Sequence, residues 1–136
     1  MLFREALLRL LNRFRYPVSL PEDITRDVGL FFPSTLNFKE FLSLLVAPPH
    51  PPTKLRKFMP RHVAEAAFES AFKVERFKAC TLFSYYFNAG WLVFTLYFDE
   101  NETLRRVHVQ CPSKVSTDEC DLLLEEEHSL LKTVHG

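Results

Sequence analysis

The stretch ACTLFSYYFNAGWLVFTLYF, residues 79–98, decides the fold, because it is the longest part of the chain without an acidic or basic side chain. A membrane-spanning helix needs about 20 apolar residues, so its length alone fits a span. Its composition favours a sheet, since Phe, Tyr, Trp, Thr and Val suit a pleated surface. Its midpoint, residues 88–90, would place an amide at the most costly depth of a bilayer. The sequence therefore predicts two strands of a water-soluble core, with a membrane span as the alternative.

The tripeptide Asn88-Ala89-Gly90 suits a three-residue hairpin loop, because glycine adopts positive φ at little cost. After the loop the side chains alternate with a period of two, which is typical of a strand. One face would carry Leu92, Phe94, Leu96 and Phe98, and the other Trp91, Val93, Thr95 and Tyr97. A second turn at residues 99–102 precedes another alternating run. The prediction is an antiparallel meander of three strands, at about 76–87, 91–98 and 103–111.

Composition points to a single domain that spans residues 1–136. With 47% hydrophobic residues, the chain has enough apolar mass for one core. The 17 basic and 17 acidic residues cancel, so no overall field attracts nucleic acid or an anionic membrane. The three cysteines are an odd number without regular spacing, which favours a reducing compartment. The expected location is the cytoplasm or the nucleus.

Four further segments show helical patterns. Residues 1–16 form an amphipathic, arginine-rich run, for which a mitochondrial presequence is the alternative interpretation. A short helix follows Pro21 and ends at Gly29. The next begins with a capping box, Asn37 and Glu40, and ends before the prolines. Another is expected over residues 60–73.

The C-terminal residues 116–134 also show a helical stripe behind a Ser116–Glu119 capping pair. The predicted fold is therefore α+β, with N-terminal helices, a three-stranded antiparallel β-meander and a C-terminal helix. Residues 1–47 would be the helical part and 48–59 a proline-rich basic connector. Residues 60–136 would hold the fourth helix, the meander and the last helix.

Signatures of catalysis are weak. With three glycines in the chain, neither a phosphate-binding loop nor a dinucleotide fingerprint can be written. His108 and Cys111 would fall on opposite faces of a strand, and no Cys-x-x-Cys pair accompanies them. We therefore predict no catalytic residue, no metal site and no cofactor. A small enzyme that uses Cys80 or Cys111 is the competing hypothesis.

The predicted second strand is apolar on both faces, which matters for function. A sheet with one solvated face should show polar residues at alternate positions. Trp91, Val93 and Tyr97 must therefore be covered. Helices of the chain could cover them, which is the simpler explanation, or a partner protein or a second copy could do so.

The connector supplies another candidate site. Pro49 and Pro52 stand in P-x-x-P spacing with Lys54 two residues later, which fits a ligand of an SH3-type module. Arg56 and Lys57 extend the basic flank. A rigid spacer between helices explains the same prolines.

The functional prediction is a non-catalytic protein–protein interaction or adaptor domain. Its candidate binding residues are Pro49, Pro52, Lys54, Arg56, Lys57, Trp91, Val93 and Tyr97. The alternative is a nucleic-acid-associated protein that uses the basic cluster at 54–61, with Phe58 stacking on a base.

Overall fold

The computed structural model describes residues 18–32, 37–112 and 118–126. The helices in these ranges are α1 (Pro21–Val28), α2 (Phe38–Val46) and α3 (Arg61–Ala67). The strands are β1 (Arg56–Lys57), β2 (Lys73–Arg76), β3 (Cys80–Phe87), β4 (Gly90–Phe98), β5 (Leu104–Gln110), β6 (Glu119–Asp121) and β7 (Glu125–Glu126). Strands β2 to β6 form one antiparallel sheet in sequence order, and β1 pairs with β7 in a small parallel sheet. The helix predicted over residues 1–16 lies outside the described residues.

The hairpin at the centre of the sheet is confirmed. Phe87 pairs with Gly90, so the loop consists of Asn88 and Ala89 and is one residue shorter than predicted. Gly90 has φ 128°, a backbone angle that favours glycine. The residues predicted to span a membrane or to form a hairpin thus form β3 and β4. No helix in the described ranges is long and apolar enough to cross a bilayer.

The predicted three-stranded meander is wrong, because the sheet has five strands. The first predicted strand, 76–87, is divided between β2 and β3 by a tight turn, in which the Phe77 N–H donates to the Cys80 carbonyl over 2.8 Å. The helix predicted over 60–73 ends at Ala67, and the chain then turns into β2.

The predicted C-terminal helix is also wrong for the residues described. Glu119–Asp121 add to the free edge of β5 as β6, and Glu125–Glu126 pair with β1. The sequence pattern of this short run fits a strand as well as a helix. Cys120 is half-buried and Leu122 buried, whereas Glu119 and Asp121 are exposed. Backbone groups on an open strand edge need partners, and pairing with β5 supplies them. Residues 127–136 lie outside the described part of the chain.

One face of the sheet, the inner face, builds the core. The helices pack here through Ile24 and Val28 of α1, Phe41, Leu42 and Leu45 of α2, and Ala64 of α3. Phe68, which follows α3, stacks on Phe83 of β3 at a centroid distance of 4.5 Å. This packing leaves the opposite face of the sheet as the surface on which a site can form.

Two predicted helix boundaries, the end of α1 and the start of α2, are confirmed. The Asn37 side chain accepts from the Glu40 N–H over 2.8 Å, as a capping box requires. Gly29 ends α1 with φ 76°. A Cβ at Gly29 would lie 2.1 Å from Thr53 Oγ1 and 2.9 Å from Lys54 N, so the chain after the prolines is packed directly on the end of α1.

Candidate functional site

The outer face of the sheet is the surface opposite the helices. Every second side chain of β4 lies on this face. Leu92, Phe94 and Leu96 are fully buried on the inner side. Trp91 and Tyr97, on the other side of the same strand, keep 40% and 36% of their surface exposed. β4 is the middle strand of five, and Trp91 and Tyr97 lie near its two ends, with Trp91 beside the hairpin loop. The outer-face residues are Lys73, Glu75, Cys80, Leu82, Ser84, Tyr86, Trp91, Val93, Thr95, Tyr97, Arg106, His108, Gln110, Glu119 and Asp121.

An aromatic cluster forms at the hairpin end of this face. Trp91 is paired across the hairpin with Tyr86, and their ring centroids are 5.1 Å apart in an edge-to-face arrangement. Phe72 lies 5.5 Å from the Trp91 ring and is itself 40% exposed. A cleft of about 480 Å³ opens beside the cluster, between the hairpin loop, Val93 and Gln110. The cluster and cleft offer aromatic surface and amide hydrogen-bonding groups side by side.

Charged groups surround the opposite side of the face, on β5 and β6. Asp121 Oδ1 lies 3.0 Å from Arg106 Nη2 and 3.0 Å from His108 Nδ1. The hydrogen bond from Arg106 lowers the pKa of the Asp121 carboxyl, and partial burial, which would raise it, does not cancel this effect. The hydrogen bond with His108 lowers the pKa further. Glu119 Oε2 is 3.4 Å from His108 Nε2. The Arg106 guanidinium also lies 4.7 Å from the Tyr97 ring centroid, so the charged groups contact this aromatic ring.

The predicted site residues fall into two separate groups. Trp91, Val93 and Tyr97 lie together on the outer face. Pro49 is exposed but Pro52 is buried. The residue after Pro52 is tied to α1, since the Thr53 N–H donates to the Gly29 carbonyl over 2.9 Å. The two prolines of the P-x-x-P spacing are therefore not both accessible in this fold.

The basic residues of the connector have acidic neighbours. Arg56 and Lys57 form β1 and pair in parallel with Glu125 and Glu126, while Lys54 is exposed. Phe58 lies between cations, with Lys57 Nζ 5.4 Å and the Arg105 guanidinium 4.8 Å from its ring centroid. The acidic partners reduce the positive field that a phosphate would meet.

Arg61, the last basic residue of this cluster, forms hydrogen bonds and ion pairs within the protein. Its side chain is 11% exposed and donates to the carbonyls of Phe77 and Lys78, over 2.5 and 2.8 Å. It also pairs with Glu65 and Glu102 at 3.3 and 3.0 Å. Burial would raise the pKa of Glu65, but hydrogen bonds from Arg76, Thr81 and Arg61 lower it overall. The guanidinium holds the β2–β3 turn in place.

The environment of Cys111 does not favour a role as a catalytic nucleophile. The residue is 3% exposed, and burial with nearby Asp118 and Cys120 raises the pKa of its thiol to about 11. A thiol of this kind stays protonated at neutral pH, whereas the thiolate is the nucleophile. Within the ranges described, His, Cys, Asp and Glu side chains form no group of three or more that could hold a metal ion.

Sequence reasoning missed Phe72 and Tyr86, the partners of Trp91. Phe72 was assigned to a helix that ends five residues earlier, at Ala67. Tyr86 could have been found from the hairpin, because a loop at residues 88–89 places position 86 opposite position 91. The Asp121 cluster could not, since it depends on β6. The chain matches no protein-family model, no curated protein and no solved structure in comparisons with known proteins.

Proposed function

We propose that this protein is a non-catalytic protein–protein interaction domain that binds its partner through the outer face of the sheet. The observation that carries the proposal is the exposed aromatic surface along the middle strand of that face, where Trp91 and Tyr97 project from opposite ends of β4. Isolated exposed apolar residues are common on proteins, but a contiguous patch rimmed by polar groups is typical of an interaction site.

The chemistry of the patch supports a protein partner. Tryptophan, tyrosine and arginine are the residues most enriched among those that dominate binding energy. The outer face presents Trp91 at one end of β4 and Tyr97 at the other, with the Arg106 guanidinium on the Tyr97 ring. Hydrogen-bonding side chains, Gln110 among them, lie beside the aromatic residues, as in the polar rim of a typical interface.

Other binding modes find less support. Recognition by an SH3-type module would need Pro49 and Pro52 exposed together, and Pro52 is buried. Nucleic-acid binding would need free cations, whereas Arg61 is engaged internally and Arg56 and Lys57 face Glu125 and Glu126.

The free thiols of the described cysteines support the proposal that the domain works in a reducing compartment, the cytoplasm or the nucleus.

Site-specific photo-crosslinking tests the proposal. A benzoylphenylalanine residue is placed at position 97 and activated by light in cells that express the protein, and adducts are separated by mass. We expect a discrete protein adduct, because position 97 lies on the middle strand of the outer face. The same probe at position 123 is the matched control, since Leu123 is 75% exposed but lies outside the sheet.

The control defines what would contradict the proposal. Equal adduct patterns from positions 97 and 123 would mean that the outer face has no preferred partner. The interaction function would then be wrong, whatever the identity of the adducts.

A further inference from the structure

The register of the sheet arranges the outer-face side chains in straight rows across the strands, because residues directly opposite each other share a face. One row has a base at one end and an acid at the other. It consists of Lys73, Ser84, Val93, Gln110 and Glu119, from edge strand β2 to edge strand β6. Val93, at the middle of this row, is on the central strand. The charge pattern of the row is therefore antisymmetric about β4.

We infer that the partner of the outer face is a second copy of this chain, packed face to face with its own outer face. The inference rests on the proposed function and specifies the partner. Homodimers most commonly use one two-fold axis and the same patch on both copies. In the arrangement that we propose, this axis runs along β4, between the two sheets.

Charge complementarity selects this axis. A rotation about β4 places β2 of one copy above β6 of the other, so Lys73 of each copy meets Glu119 of the other. An axis that runs across the strands along this row would instead bring Lys73 to Lys73 and Glu119 to Glu119. Both side chains are available for the first arrangement, since Lys73 is 56% and Glu119 60% exposed. Like charges in contact disfavour the second arrangement.

The neighbouring row is compatible with the same axis. It would bring Glu75 of one copy above Asp121 of the other. Each of these acids already has a counterion in its own chain: Lys73 Nζ lies 3.5 Å from Glu75, and Arg106 Nη2 lies 3.0 Å from Asp121. Lys73 is shared between Glu75 and the Glu119 of the other copy, so this row opposes the dimer weakly, and the Lys73–Glu119 pairs must outweigh it.

The size of the face suits a modest dimer. Five strands at a spacing of about 4.8 Å give a width of about 24 Å, and seven residues along β4 give a similar height. The buried surface would be roughly 600 Å² per copy, or 1,200 Å² in total, at the low end of the standard range for specific interfaces. Trp91 and Tyr97 would fill the space between sheets that pack about 10 Å apart. We expect association in the micromolar range.

Charge reversal with light scattering tests the inference. The intact protein is measured by size-exclusion chromatography from about 1 to 200 µM, concentrations that bracket micromolar association. The mass should rise from the 15.9 kDa of one chain towards twice that value. Lys73→Glu and Glu119→Lys should each weaken the dimer by about tenfold, because each change places like charges at both ends of the interface. The double variant should restore it.

Matched controls carry the same charge changes elsewhere. Lys54→Glu and Glu100→Lys alter exposed residues that lie outside the sheet, and we expect wild-type dimerisation from both. Circular dichroism verifies that each variant is folded. A protein that remains monomeric at the highest concentration overturns the inference, as does a double variant no better than the single ones.

Failure here is distinguishable from failure of the proposed function. If position 97 crosslinks to a protein whose mass differs from that of the chain, the outer face is an interaction site and only the identity of its partner is wrong. If no specific adduct forms at position 97, the proposed function is wrong as well.

Discussion

The two faces of strand β4 are almost equally apolar and yet differ completely in burial. Phe94 and Leu96 are fully buried beneath the helices, whereas Trp91 and Tyr97, three positions and one position away, are more than one third exposed. The difference teaches that the apolar residues of the outer face are not needed to close the core. Their exposed side chains can contribute to a contact with another surface.

The inner face is also fixed by polar anchors. Asp27, at the end of α1, is fully buried and accepts hydrogen bonds from the Tyr85 hydroxyl over 2.7 Å and from the Ser70 N–H over 2.9 Å. Burial and the bond to Asp27 raise the pKa of Tyr85, so its hydroxyl remains a donor. Among the described residues, every buried side-chain nitrogen and oxygen has a hydrogen-bond partner. Such networks specify one arrangement of helix on sheet.

The largest difference between the faces should come from truncating one aromatic residue on each. Phe94→Ala should lower the free energy of unfolding by about 3–5 kcal/mol, because it removes a fully buried ring and leaves a cavity. Tyr97→Ala should cost about 1 kcal/mol or less in the monomer, since its ring remains partly in water. Urea denaturation at a concentration that keeps the protein monomeric measures both. Equal losses would contradict the division into two faces.

Removing the buried acid should have the next largest effect. Asp27→Ala should cost about 2–3 kcal/mol, because it leaves the buried Tyr85 hydroxyl and the partly buried Ser70 N–H without an acceptor. Tyr85→Phe is the matched variant, since it removes one donor and leaves Asp27 with the Ser70 bonds. Its loss should be smaller, at about 1 kcal/mol. Thermal or urea unfolding that ranks the two variants in the opposite order would contradict this account.

The turn between β2 and β3 provides a smaller and more local test. Arg61→Lys keeps the charge but lacks the planar fork that reaches the Phe77 and Lys78 carbonyls together. We expect a loss of about 1–2 kcal/mol in unfolding free energy. Amide hydrogen exchange should accelerate first in residues 73–81 and much less in the β3–β4 hairpin. Acceleration spread evenly over the sheet would show that Arg61 has no local role.

The hairpin could be predicted from sequence because its signals are local and agree with one another. The apolar run, the two-residue period after Gly90 and the turn residues all favour the same structure. The C-terminal stretch carries conflicting signals. Ser116 and Glu119 suit a helix start, while Cys120 and Leu122 alternate with acids as in a strand. The open edge of β5 decides between them, and that edge is a property of the folded sheet rather than of the local sequence.

The candidate site divides in the same way. Trp91, Val93 and Tyr97 follow from the period of a single strand, so sequence reasoning placed them on one face. Phe72 joins them only because the chain leaves α3 early and returns as β2. Glu119 and Asp121 reach the outer face only through pairing of β6 with β5. Contacts between distant parts of the chain therefore separate the predicted half of the site from the missed half.

The smallest expected effect concerns Asp121 on the outer face. The bond from Arg106 lowers its pKa in the folded protein below the unfolded value of about 3.9. Its contribution to stability should be fully present above about pH 4 and should disappear as the pH falls through the lowered pKa. The contribution should stay under about 1 kcal/mol, because both partners are about half exposed. Asp121→Asn should therefore lose a little stability at pH 7 and approach the wild type as the pH falls below about 3.9 and through the lowered pKa, which urea unfolding at each pH measures. A constant gap between the two proteins across this range would show that the ion pair with Arg106 does not stabilise this side of the outer face.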